Sequence, residues 1–210
     1  MKKFLSTLLA LACMMTFAVV HAGQSNDLSN QKVDAGWDLY KSGDYSEAIK
    51  LLDEAIQLNP ENARAYKSRG HAHLCLNQYK QAVQDFSKAL KFNPNDSSTQ
   101  HNRLVAANCL FKQYFEQLDR ADKAIALNPN DAEAYFCRGN AHLDLGVLDF
   151  LLDDIWEDYK LAIADYDETI KLAPNHALAY HNRGICYQEL GDDSKAQADF
   201  AKAKELGYKD

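Results

Sequence analysis

Ala55-Ile56-Gln57-Leu58-Asn59-Pro60, Ala89-Leu90-Lys91-Phe92-Asn93-Pro94, Ala124-Ile125-Ala126-Leu127-Asn128-Pro129 and Thr169-Ile170-Lys171-Leu172-Ala173-Pro174 are four versions of one phrase. Their prolines lie 34, 35 and 45 residues apart. A near-constant period of this length is the mark of stacked supersecondary units, in which each unit covers the apolar face of the one before it. Function is then to be sought on a repeated surface.

Aligned on that phase, the chain divides into units 29–62, 63–96, 97–131, 132–176 and 177–210, after a linker at 23–28. Small residues recur in columns, as Gly36, Gly70, Gly139 and Gly184, then Ala48, Ala82, Ala162 and Ala196, then Ala55, Ala89, Ala124 and Ala203. A large apolar column holds Leu52, Phe86, Tyr166 and Phe200. Small against large is what two closely approaching helices require. Lys41-Ser42-Gly43-Asp44-Tyr45 and Glu189-Leu190-Gly191-Asp192-Asp193 place a helix-stopping Gly before a helix-starting Asp. Each Asn-Pro ends the second helix, because the residue before proline avoids the α region. The expectation is an all-α chain of about five helix-turn-helix units.

On these columns, over nearly all of 29–210, the chain resembles the tetratricopeptide repeat (TPR) family, of the exported bacterial type. The resemblance implies a right-handed superhelical solenoid whose first helices line a concave groove for a protein or peptide partner. It places Trp37, Lys41, Arg64, Lys67, His71, His101, Asn102, Phe136, Asn140 and His181 on that groove. The first half of this set is basic, and Glu133 and Asp144 make the second half acidic, which suits an extended peptide bound with its acidic part near Arg64 and Lys67. The family's carboxylate clamp for chaperone C-termini is matched at Lys67 and Asn102. His71, Glu133 and Cys137 replace its other residues, and Glu133 would repel an anion.

Residues 1–22 carry Lys2-Lys3, an apolar run from Phe4 to Val20, and small residues at Val20 and Ala22. That pattern is expected to be a secretory signal cleaved after Ala22. An uncleaved anchor and, through Cys13, a lipoprotein signal are the alternatives. Loss of Lys2 and Lys3 would deepen the net charge from −7 to −9. With no basic stripe, nucleic acid and membrane insertion after cleavage are disfavoured. The expected location is the periplasm, with an extracellular destination as the alternative. Cys75, Cys109, Cys137 and Cys186 are expected to be free thiols, because their repeat positions are badly placed for bridging.

Arg69, Arg103, Arg138 and Arg183 precede the Gly column, and Asp85, Asp165 and Asp199 recur on second helices. An Arg–Asp pair within a unit is favoured over an anion ladder; in the third unit Arg103 faces Arg120 and the pairing is unexplained. The last unit replaces outward apolar pairs with Gln197 and Lys204, as a terminal cap does. The fourth unit has about eleven extra residues, 147–157, which keep helical phase. The second helix of that unit is expected to begin early. Leu148, Phe150, Leu152 and Trp156 on it would either pack on an extended first helix or form a second interface, including a homodimer contact.

No cofactor or resident metal is called for. A Gly-rich phosphate loop, a zinc-protease pattern and a nucleophile in a recognisable setting are all missing from the sequence. A non-enzymatic adaptor or scaffold, in envelope assembly or maintenance, is the reading, with a secreted host-interacting repeat protein as its alternative. The alternative of another class is a metal-binding or catalytic protein using His71 and His101.

Overall fold

The computed structural model describes residues 23–149 and 156–209. The signal-like segment and the middle of the insertion, with Phe150 and Leu152, lie outside the described residues, as do the side chains of Leu148 and Trp156. Nine helices and no strand occur among the described residues. They are α1 (residues 23–42), α2 (Tyr45–Leu58), α3 (Ala63–Cys75), α4 (Tyr79–Phe92), α5 (Ser97–Leu127), α6 (Ala132–Asp149), α7 (Trp156–Leu172), α8 (Ala177–Glu189) and α9 (Asp193–Glu205).

Three turns reverse the chain inside a repeat, and each uses one residue in the left-handed region. Gly43 has φ 91°, Asn77 57° and Gly191 78°. Glycine takes that conformation at no steric cost and asparagine tolerates it. Between repeats, the residue two places after each proline caps the next helix. Asn62 accepts from Ala65 N–H, Asp96 from Thr99 N–H, Asp131 from Ala134 N–H, and His176 Nδ1 from Ala179 N–H. Each satisfies a helix-end donor that would otherwise lack a partner.

Inside a repeat, the glycine column lets the second helix's large residue press onto the first helix's backbone. A Cβ on Gly70 would sit 2.8 Å from the Phe86 ring, one on Gly139 2.9 Å from Tyr166, and one on Gly184 2.7 Å from Phe200. Val33, Ala48, Leu52, Ala55 and Ala65 form one core cluster; Phe136, Tyr159, Ala162, Tyr166, Ala179 and Cys186 form another.

The third repeat departs from the expected helix-turn-helix. Residues 97–127 are one helix of 31 residues. At the position of Gly43-Asp44, Asn77-Gln78 and Gly191-Asp192 stand Phe111-Lys112, and neither suits a left-handed turn. At the glycine position stands Leu104, which would block the close approach. The chain forms two compact units, ending and beginning at Leu110 and Phe111, within α5.

The insertion also differs from expectation. α7 starts at Trp156, three residues before the counterpart of Tyr45 and Tyr79, so the second helix does begin early, but α6 also runs on through Asp149 and takes a share of the insertion. Eleven residues preserve helical phase on whichever helix receives them, so phase alone did not assign them. The lengthened α6 packs on α7, since a Cβ on Gly146 would lie 3.0 Å from the Tyr159 ring.

Because Phe86 is fully buried and cannot swing aside, Gly70→Ala is expected to destabilise the protein by about 1–3 kcal/mol despite alanine's better helix propensity. Urea unfolding of Gly70→Ala against the Gly70→Ala/Phe86→Leu double variant checks this, and the smaller residue at 86 should recover part of the loss.

Candidate functional site

The aligned arginines are structural. Arg69 donates through Nε and Nη2 to Asp85 at 2.9 and 2.6 Å, Arg138 through Nη2 to Asp165 at 2.7 Å, and Arg183 through Nη2 to Asp199 at 2.7 Å. Each also spans to the second helix of the preceding repeat, where Arg69 Nη1 reaches Asp53, Arg138 Nη1 Asp122 and Arg183 Nη1 Asp167. Tyr66, Tyr135 and Tyr180, three residues earlier, lie beneath the guanidiniums at 5.5–5.6 Å. The fork of guanidinium donors suits two carboxylates at once. Arg103 has Ser87 and Gln100 at the corresponding positions and makes no ion pair among the described residues.

The expected groove residues of the first unit gather on α1 and α3. Trp37 stacks on Tyr40 with centroids 4.6 Å apart and meets His71 edge-on at 5.7 Å. Trp37, Arg64, Lys67, Ser68 and His71 line a shallow cleft of about 220 Å³. Lys41, farther along α1, is paired with Asp38. Arg64 holds Asp34 at 2.7 Å with both side chains exposed. Lys67 donates to Asp96 at 2.8 Å in a half-buried pair. That bond, with the Thr99 N–H second, pulls the Asp96 carboxyl down to about 2. Lys67 is thereby tied to the cap of α5, whereas the Arg64 pair stands in solvent, where such pairs are weak.

His71 Nε2 accepts from Asn102 Nδ2 at 2.7 Å, the arrangement of a neutral imidazole. Burial chiefly, and the Lys67 charge next, lower its pKa, with Asp96 opposing. His101 is exposed. No group of three or more His, Cys, Asp or Glu side chains placed to hold a metal occurs among the described residues.

In the second unit, Asn140 Oδ1 accepts from Tyr166 Oη and Asn182 Nδ2, each at 2.8 Å, so it joins α6, α7 and α8. Phe136, expected on the groove, is instead buried in the core between Tyr166 and His176, at 6.0 and 4.4 Å. The following repeat's cap covers it, which no pattern within its own repeat revealed. His181 stacks on Tyr208 at 4.1 Å, facing the last residues described. Glu133 lies 3.6 Å from His176 Nε2. Cys75, Cys109, Cys137 and Cys186 are free; burial pushes the Cys186 thiol up to about 12.

Models described as tetratricopeptide repeat match residues 33–97, and 121–153 with 165–198. Residues 98–120, most of the turnless α5, fall outside both. Among curated relatives, the rat DnaJ homolog subfamily C member 3 is 40% identical over 67 residues, 32% of this chain and 13% of that protein. The Hsp70-Hsp90 organizing protein of Triticum aestivum is 27% identical over 92 residues, 44% of this chain and 16% of that one. The chain thus spans less than a fifth of the length of either. Among solved structures, MamA from Desulfovibrio magneticus is 24% identical, covering 86% of this chain and 95% of that one, with a TM-score of 0.38. The TPR protein YrrB is 24% identical over 84% of each chain, with a TM-score of 0.37.

Arg69→Ala should cost about 3–5 kcal/mol, because it strands buried Asp85 without its cation, while Arg103→Ala should stay within about 0.5 kcal/mol of wild type. Denaturant midpoints separate the two. For His71, the unfolded chain gains a proton near pH 6.5 that the folded chain resists, so folded stability falls as pH drops below that value. His71→Gln is expected to flatten the dependence between pH 7 and pH 5 in the same measurement.

Proposed function

Because the chain belongs to the tetratricopeptide repeat family, we propose that it is a non-enzymatic adaptor, exported to the periplasm and holding a protein or peptide partner in envelope assembly or maintenance. Repeats of this family act as scaffolds for protein–protein interaction. Export is supported by the charged, apolar and small-residue order of residues 1–22. No helix among the described residues is long and apolar enough to cross a membrane.

The observation that carries the binding reading is the Trp37 platform. Trp37 remains 36% exposed although it stacks on Tyr40 and abuts His71, so its position is set in advance and one face stays open. A rigid aromatic beside an arginine is the composition of a binding hot spot. Arg64 can exchange exposed Asp34 for a ligand carboxylate at small cost. Lys67 contributes fixed positive potential, offset by Asp96. The ligand that fits is an extended peptide with an acidic residue next to an aromatic or aliphatic one. The name of the wheat relative ties that protein to Hsp70 and Hsp90. A chaperone carboxylate clamp suits this chain poorly, since Lys67 is engaged, His71 is bonded to Asn102 and disfavoured as a cation chiefly by its burial, and Glu133 and Cys137 stand where cations are needed.

Calorimetric titration of acidic-aromatic peptides into the folded protein tests this. Trp37→Ala and Arg64→Glu should each weaken binding about tenfold, or about 1.4 kcal/mol, with unchanged urea midpoints. Peptides that bind the variants and wild type equally would refute the placement.

A further inference from the structure

The face of α9 that has no following first helix has changed sign. At inner junctions an alanine of the next first helix joins the core of the repeat before it, Ala65 with Val33, Ala48, Leu52 and Ala55, and Ala179 with Phe136, Tyr159, Ala162 and Tyr166. Leu52, Phe86 and Tyr166 are fully buried, whereas Phe200 in the same column is only half-buried. Ala201 stands at the position of Asp53, Asp122 and Asp167, the aspartates that receive the next repeat's arginine. Lys204 stands at the position of Ile56, Leu90, Ile125 and Ile170. A carboxylate is lost from this face and an ammonium is gained.

The residues after α9 add a wall to this face. Gly207 takes φ 95°, and Tyr208 N–H donates to Ala203 O at 3.0 Å, which closes the end of α9 and turns the chain back. The Tyr208 ring then stacks on His181 of α8, 4.1 Å between centroids and 24° between planes, and His181 lies 5.5 Å from Phe200. A cavity of about 540 Å³ opens here, lined by His181, Phe200, Ala201, Lys204, Tyr208 and Lys209. Lys204 and Lys209 make no ion pair among the described residues, unlike Lys202, which holds Glu205, and Lys195, which holds Asp192. No Asp or Glu among the described residues lines the cavity. Aromatic rings beside two cations, with no carboxylate to neutralise them, select a ligand that is flat and apolar at one end and anionic at the other.

We propose that this cavity is a ligand site of the second compact unit, for a small aromatic carboxylate whose ring lies against Phe200 and Tyr208 and whose anion is held by Lys204 and Lys209. Its volume falls within the range of about 300–1,000 Å³ typical of small-molecule sites. An extended peptide needs partners for its main chain, and the lining offers no Asn or Gln; a small acid needs none. Ala201 matters as much as the lysines, because an aspartate at that position would repel the carboxylate. The two cations come from different elements, Lys204 from α9 and Lys209 from the residues after it, so the site exists only with the chain turned back at Gly207.

Phenylacetate is the probe. Calorimetric titration into the full chain at low ionic strength is expected to show saturable binding at one site, with the neutral phenylacetamide weaker by about tenfold or more. Lys204→Glu and Tyr208→Ala should each weaken phenylacetate by about fivefold, while Trp37→Ala leaves it unchanged. Circular dichroism and urea midpoints show that each variant is folded, and Lys204→Ala serves in place of Lys204→Glu if the charge reversal unfolds. No saturable binding of phenylacetate overturns the proposal. So does equal binding of phenylacetamide, or undiminished affinity in a folded Lys204 variant. An acidic-aromatic peptide that displaces phenylacetate at lower concentration than phenylacetate itself would also overturn it, by making this a peptide site.

Discussion

Everything regular in this protein depends on a side chain pressed against a backbone that carries none. Where Gly36, Gly70, Gly139 or Gly184 faces Leu52, Phe86, Tyr166 or Phe200, two helices approach closely enough to bury the alanine columns on either side. Where that pairing is missing, the repeat does not close. Leu104 removes the space, Phe111-Lys112 removes the turn, and residues 97–127 are assigned to one helix. The two losses reinforce each other, since a turn with no close-packed partner to return to gains little for the helical bonds it breaks.

The charged residues follow the same geometry and do not form an independent site. Each bridging arginine satisfies one aspartate of its own repeat and one of the repeat before, with a tyrosine beneath it. Asp85, Asp165 and Asp199 are nearly buried, so these cations prevent a large penalty more than they add stability. Charges left for a partner are those in solvent, such as Arg64, and they sit beside the one tryptophan whose surroundings are described. The recognition proposed for Arg64 and the architecture thus draw on different members of the same basic set.

The helical repeat was legible because proline phase, glycine column and aromatic column agree independently, and the Arg–Asp pairs were legible because their spacing of sixteen recurs. The unbroken third repeat was written at Leu104 and Phe111-Lys112, but Ala124 and Pro129 keep the columns in phase beyond them, so alignment carried across a turn that the backbone never makes. Partners in the adjacent repeat were hidden for another reason. Asp53, Asp122 and Asp167, the caps at Asn62, Asp96, Asp131 and His176, and the burial of Phe136 depend on how one unit meets the next. Aligning units under one another compares them without stacking them. The division of the insertion between α6 and α7 was invisible because eleven residues suit either helix equally.

The side-chain bonds that tie the helices together are short in sequence. Arg69 to Asp85 spans 16 residues, Asn62 to Ser29 33, and Asn182 to Asn140 42. Contacts this local carry small loop-closure entropies and low contact order, the conditions under which chains fold fast. A growing chain can therefore settle each repeat soon after the next has been made. The third is the exception. Its second half, where Asp122 is paired with Arg138 of α6, is completed only once α6 has been made.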